Sequence, residues 1–251
     1  MTNQSRWLKL AICTLAALAA AAPNAGATII EVPADHPTIG DAIDAAANGD
    51  TVRVAPGTYV ENIDFAGKAI TVTSHYAPGG DWSLVEDTVI DGSSPDSAYR
   101  ASTVRIASGE RRNSLLQGFT VTGGTGTQWT DPLNPGFIWH GGGGVFIYDS
   151  SPTIRYCAIS DNRLISAGTV DGKQGGGVLA YGGYPLIHNT LITGNQAVYG
   201  GGLVVDYSGA EVRNCVISGN SVGYSFGGGG VWTIGSSSDP ITLTNCTIAD
   251  N

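Results

Sequence analysis

The chain has 251 residues, 37 of them Gly, with 12 basic and 21 acidic side chains and a formal net charge of −9. Gly stands at about twice its usual share and charge at about half, which excludes a coiled coil with its charged flanks. A hydrophobic content of 42% excludes a disordered chain, and the lack of a G-X-Y period excludes collagen.

The first segment reads as a targeting signal. Arg6 and Lys9 precede an apolar run from Leu10 to Ala22, and Ala25-Gly26-Ala27 forms an A-x-A cleavage site. This predicts a bacterial-type signal peptide over 1–27 and a protein that is secreted or held at the cell surface. Cys13 sits too early in the apolar run, beside the wrong neighbour, for a lipoprotein signal. No later segment has 18 successive apolar residues, so no transmembrane segment is expected in this chain. Without 1–27 the net charge becomes −11, from 10 basic and 21 acidic groups. Such a chain is a poor partner for nucleic acid, so none is expected. It would also repel an anionic polysaccharide unless a cation such as calcium bridged the two.

The second segment, Pro37 to Ala46, has helical periodicity and a Thr38…Asp41 capping pattern. Asn48-Gly49-Asp50 ends it, and Thr51–Val54 is predicted as the first strand. Tyr59 and Glu61 read as turn and edge residues. Further on, a unit repeats. Gly-Gly-Gly plus an apolar residue recurs at Gly142–Val145, Gly175–Val178, Gly200–Leu203 and Gly228–Val231. Each is followed by a second block ending in Ile159, Ile192, Ile217 or Ile248, and then Asn162, Asn195, Asn220 or Asn251. The distance from the apolar residue to the Ile is 14, 14, 14 and 17 residues, whereas successive Ile are 33, 25 and 31 apart. One block is therefore fixed, and most of the length variation falls in one connection: 163–174, 196–199 and 221–227.

A fixed block with a variable connection predicts a solenoid of short strands, each coil supplying hydrogen bonds to its neighbours. Alternation places Val145 and Ile147 inward, and Phe146 and Tyr148 outward. Three inward columns follow: Val145, Val178, Leu203, Val231; Ile154, Ile187, Val212, Leu243; and Ile159, Ile192, Ile217, Ile248. Asn189, Asn214 and Asn245 are expected at bends in left-handed backbone, with their amides stacking from coil to coil.

These GGGV…NCxIxxN repeats resemble those of right-handed parallel β-helix proteins of the pectin-lyase-like superfamily, and are close to the repeats of polymorphic outer-membrane proteins. Pro56 to Asn62, Val89-Ile90-Asp91-Gly92 and Gln117 to Gly124 resemble the opening coils of that superfamily. The resemblance implies an all-β fold over 28–251: a right-handed parallel β-helix solenoid with an N-terminal capping helix. It does not imply one activity, since the fold hosts lyases, hydrolases, esterases and non-enzymes. The chain stops at Asn251 directly after a repeat block, so 28–251 is expected to be C-terminally incomplete.

Four sets of residues could carry chemistry. Cys157, Cys215 and Cys246 share an inward column with Thr190 on the intervening rung. Cys157 and Cys215 are then roughly 9.6 Å apart, too far for a disulfide; Cys215 and Cys246, one rung apart, could just meet, but their side chains point in parallel, so buried thiols are expected. The outward face carries Phe146, Tyr148, Tyr181, Asp206 and Trp232. It reads either as a platform that stacks sugar rings, or as a surface covered by the insertion 125–140 through Trp129, Phe137 and Trp139. A pectate-type lyase would need a base and carboxylates for calcium. Lys173 is the candidate base, and Asp171 and Asp206 are candidate metal ligands, against a plain reading of Lys173 and Asp171 as a solvated loop. Arg155, His188 and Arg213 form an outward column read as a solubilising surface. The reading is a secreted or cell-surface scaffold contacting extracellular polysaccharide or a cell-surface glycan, with no cofactor evident. Its alternatives are a calcium-dependent polysaccharide lyase and a passenger or adhesin module of a surface protein.

Overall fold

The computed structural model describes residues 26–132, 135–164, 172–223, 227–235 and 238–251. The predicted signal peptide, apart from its last two residues, and Asp171 lie outside the described residues.

Short β-branched and leucine-rich strands separated by left-handed corners wind into a right-handed parallel β-helix of three sheets. One coil illustrates the path. Val145–Tyr148 lies in a front sheet, Thr153–Arg155 in a side sheet and Ala158–Ser160 in a rear sheet. Among the described residues these sheets hold six, eight and seven strands. The side sheet begins at Ile29–Val32, a strand the sequence reading missed, so Thr51–Val54 is the second strand.

The three predicted inward columns stand in register. As far as Leu203, Val212 and Ile217 they form one continuous core with Phe65, Phe119, Leu116 and Val121, all four fully buried; on the last rung Val231 is partly buried, and Leu243 and Ile248 are exposed. Helix α1, Ile39–Ala45, closes the N-terminal end by turning Ile39, Ala42 and Ile43 inward. Thr38 Oγ1 accepts from the Asp41 N–H at 3.0 Å. Glu61 is more than an edge residue: its carboxylate accepts from the N–H groups of Ile39 and Gly40, both at 2.9 Å. A charge at that helix start also complements the helix dipole.

The corners explain two parts of the repeat. Asn189, Asn214 and Asn245 occupy left-handed backbone (φ 53°, 51° and 53°), as expected. The amide ladder, however, forms at the other asparagine of the motif. Asn162 Nδ2 donates to Asn195 Oδ1 at 2.9 Å, Asn195 Nδ2 to Asn220 Oδ1 at 3.0 Å, and Asn220 Nδ2 to Asn251 Oδ1 at 2.9 Å. Each Oδ1 also accepts the backbone N–H of the preceding asparagine. The physical reason is burial. Asn162, Asn195 and Asn220 are buried, where an amide without partners is costly, whereas Asn189 and Asn214 face outward.

Glycines in the triplets serve a close approach as well as a turn. A Cβ on Gly176 would stand 2.5 Å from the Gly201 carbonyl oxygen and 2.8 Å from the Gln196 backbone. Gly176→Ala is therefore expected to lower stability by about 1–3 kcal/mol, read from urea unfolding. A loss no larger than that of a surface Gly136→Ala control, where a Cβ meets nothing, would contradict this packing.

Cys157, Cys215 and Cys246 are free, and the first two are buried. Burial pushes the Cys157 and Cys215 thiols each up to about 11.

Candidate functional site

The outer face of the front sheet carries two rows. Asp64, Arg105, Phe146, Leu179, Val204 and Trp232 are paired in one. Tyr148, Tyr181, Asp206 and Ile234 are paired in the other. Strand alternation turns both rows away from the solenoid core, but most of this face is not open to solvent. Thr127–Thr130 and Ile138–Gly141 form an antiparallel hairpin, to which Lys173–Gln174 adds a parallel strand. Polar contacts fasten its base: Ser102 Oγ and Thr127 Oγ1 are 2.7 Å apart, and Ser102 Oγ donates to the Gly141 carbonyl at 3.2 Å.

Trp129 is the underside of this roof. Its ring lies 4.6 Å from Tyr181, 5.7 Å from Tyr148 and 6.4 Å from Phe146, centroid to centroid. With Leu179 and Val204 these residues make a second hydrophobic cluster outside the solenoid core. Phe146 keeps 2% of its surface exposed and Tyr181 6%. The flat, open platform considered above is therefore corrected: the insertion folds back and covers it. An uncovered row of this size would be a large exposed apolar patch, which the hairpin removes. Tyr148 is half-buried, stacked on Tyr181 at 5.3 Å. Trp232 is also half-buried, stacked on Tyr199 at 5.4 Å.

The polar candidates lie under the same roof. Asp206 is 7% exposed; its Oδ2 accepts from Gln174 Nε2 at 3.3 Å. Asp206 Oδ1 and Gln174 Oε1 are buried acceptors with no hydrogen-bond partner. Burial pushes the Asp206 carboxyl up to about 6; the Gln174 bond pulls it down, and the Asp131 charge adds to the rise. Tyr181 donates its hydroxyl to Asp131 Oδ1 at 2.8 Å. Burial, then that bond, moves the Tyr181 phenol well above its ordinary range. Lys173 is 8% exposed in a strand, not in a solvated loop. It stands in the roof strand with little of its surface open. Asp206 is likewise enclosed as a ligand for a substrate-bridging cation.

What stays open is the edge of the roof. Tyr99, Arg105, Trp129, Phe146 and Tyr148 line a cleft of about 210 Å³ between the hairpin and the preceding coils. Arg105 is braced by Asp64, whose Oδ2 accepts from its Nη1 at 2.6 Å, but its Nε is buried and has no partner. Tyr99, on a 3-10 turn at Ala98–Arg100, is 64% exposed at the mouth. Sequence reading missed Tyr99 and Arg105 because both belong to an irregular coil that precedes the GGG repeats. The signal was available only once Arg105 could be registered against Phe146.

A family model described as "Right handed beta helix region" matches residues 106–251. No curated protein matches the chain. Three solved structures are similar at 14% identity. The pectin methylesterase from carrot is matched over 82% of this chain and 55% of its own, with a TM-score of 0.47. A pectin methylesterase in complex with a hexasaccharide is matched over 88% and 65%, with a TM-score of 0.50. The pectin methylesterase from Aspergillus niger is matched over 91% and 87%, with a TM-score of 0.45. The chain thus spans less than two thirds of the length of the first two, and likeness at this identity speaks for the fold.

Proposed function

Because this chain belongs to the right-handed β-helix family, we propose that it is an exported scaffold that binds extracellular polysaccharide at the edge of the front-sheet roof. The observation that supports this most is the cleft at Arg105. An aromatic-lined cleft with a partly exposed guanidinium in its wall suits a sugar: rings stack on Tyr99 and Tyr148, and a hydroxyl oxygen accepts from the exposed part of the Arg105 guanidinium. The A-x-A segment at 25–27 supports export, and the resemblance of the GGG repeats to outer-membrane repeat proteins supports display at a surface. The solved relative named as a complex with a hexasaccharide supports saccharide binding by this fold. The lyase alternative finds no further support, because Lys173 and Asp206 are enclosed and Asp171 lies outside the described residues.

Affinity electrophoresis in gels containing neutral soluble glycans tests the reading. Tyr99→Ala with Tyr148→Ala is expected to weaken retardation at least about fivefold, since each aromatic contact carries about 0.5–1.5 kcal/mol. Unfolding temperature should hold for the exposed Tyr99 change alone. Retardation unchanged in the double variant would overturn the proposal.

A further inference from the structure

A different face of the solenoid carries features that the front-sheet reading does not use. On the outer surface of the side sheet, Arg53, Thr73, Gln117, Arg155, His188 and Arg213 stand in register on successive rungs. The column read from sequence as a solubilising surface is the lower half of this row. Two of its cations are partly neutralised: Arg53 pairs with Glu31, and Arg213 with Glu211. Arg155 is not. Its Nε donates to the neutral Gln117 Oε1 at 2.6 Å, and it has no carboxylate partner among the described residues. His188 follows on the next rung, its Nδ1 2.8 Å from Asn189 Oδ1. A chain with a net charge of −9 thus places three arginines on this one row, and Arg155 among them has no carboxylate beside it.

The corner beside this row is built up with aromatic rings. In later coils, two residues join the side and rear sheets, as in Tyr156-Cys157 or Asn189-Thr190. In the third coil the same connection runs from residue 75 to residue 87 and contains helix α2, Ser83–Glu86. The excursion is anchored: Val85 is fully buried, and Thr120 Oγ1 donates to its carbonyl at 3.0 Å. It places Trp82 against Tyr76 at 5.8 Å and Tyr76 against Tyr156 at 5.5 Å, and Tyr156 in turn meets the His188 ring at 5.9 Å. Two clefts flank this wall and share Tyr76. One, of about 570 Å³, includes Arg53, His75 and Gln117; the other, of about 450 Å³, includes Trp82, Tyr156, Asn189 and Asn214.

We infer that this side–rear corner is a second glycan-binding surface, selective for acidic polysaccharides in which successive rings carry a carboxylate. The inference stands apart from the front-sheet reading and does not need it. Rungs repeat about every 4.8 Å, close to one sugar ring, so a chain laid along the helix axis brings carboxylates to Arg155 and Arg213 and an oxygen acceptor to the His188 ring between them. Arg155 has the free charge and planar donors to hold a carboxylate. Tyr156 and Trp82 offer faces and edges for the ring carbons. A neutral glycan would use the aromatic wall but leave the Arg155 guanidinium without a carboxylate.

The test is binding of polygalacturonate by isothermal titration, with a neutral glucan beside it. Wild type is expected to bind polygalacturonate more tightly than glucan at this surface, and less tightly as salt is raised from about 50 to about 500 mM. Arg155→Gln with Trp82→Ala is expected to lower affinity about tenfold or more. Arg213→Gln, at the exposed end of the row and away from the core, is expected to lower it about threefold with an unchanged unfolding temperature. Val60→Ala, at an exposed position that belongs to neither surface, should leave polygalacturonate binding as in wild type. Two results would each overturn the inference: wild type that binds no polygalacturonate, or corner variants that bind like wild type.

Discussion

Asn195→Ala is expected to lower the unfolding free energy by about 3–5 kcal/mol, and the unfolding temperature by roughly 10 °C. Asn195 Oδ1 accepts from both the backbone N–H and Nδ2 of Asn162, at 3.1 and 2.9 Å. Its own Nδ2 donates to the Ile159 carbonyl at 2.8 Å. Alanine keeps none of these bonds. It leaves the buried Asn162 N–H without its acceptor, which costs about 1–3 kcal/mol, removes the side-chain donor from the Ile159 carbonyl and from Asn220 Oδ1, and adds a small void. Asn189→Gly supplies the contrast. Asn189 holds left-handed backbone that glycine adopts freely, so that change should stay within about 1 kcal/mol. Urea unfolding of the two variants separates the roles. Equal losses at both positions would show that the ladder carries no more than a corner does.

Asp206→Asn is expected to stabilise the protein at pH 8 by up to about 3 kcal/mol and to leave it nearly unchanged at pH 4. The carboxyl is pushed from 3.8 up to about 6 in the folded state. A raised acid contributes its stability fully below about pH 3.8, where both states are protonated. That contribution is lost as pH rises through about 6 and the buried group must ionise. Two pKa units correspond to about 3 kcal/mol. The geometry shows why the proton is favoured. Gln174 Nε2 already donates to Asp206 Oδ2, and the two atoms left over, Asp206 Oδ1 and Gln174 Oε1, are both acceptors. A proton on Oδ1 turns one acceptor into a donor, and the acid–amide pair can close on itself. Asparagine supplies such a donor at every pH. Asp131, which faces the same cluster, adds repulsion once Asp206 is charged. Thermal unfolding of wild type from pH 4 to pH 8 should slope downward, and the variant's curve should be flatter. Parallel curves would show that Asp206 is not the group responsible.

Much of the solenoid was legible because its determinants are periodic. A rung repeats the same residue type at the same corner, so Val145, Val178 and Leu203 could be aligned before any coordinates existed. The capping helix was legible for a local reason: Thr38 and Asp41 lie three residues apart. Glu61 was not, because it reaches the helix from 21 or more residues away and only after a full coil has closed. The ladder was assigned to the wrong asparagine because both motif asparagines recur with the period, and sequence alone does not say which corner faces inward. The candidate site was half legible. Alternation placed Phe146, Tyr148, Tyr181 and Asp206 correctly on the outer face. Whether that face is open depends on where the insertion lands, and an insertion has no period. Trp129 and Trp139 pair across the hairpin only because their strands run antiparallel.

The buried thiols bear on how the protein can be handled. Disulfide exchange and alkylation require the thiolate. With pKa values of about 11, Cys157 and Cys215 hold roughly one thiolate in a thousand at pH 8, and both are sealed in the core. These two thiols are therefore slow to respond to redox potential, whereas Cys246, partly exposed beside Cys215, is the sulfur open to reagents. In a Cys246→Ser variant, a sample made in a reducing cytosol and one matured in an oxidising medium should share one set of core contacts. Labelling of that variant by a maleimide then becomes a clock for opening of the core, since the two buried sulfurs react only when the solenoid comes apart.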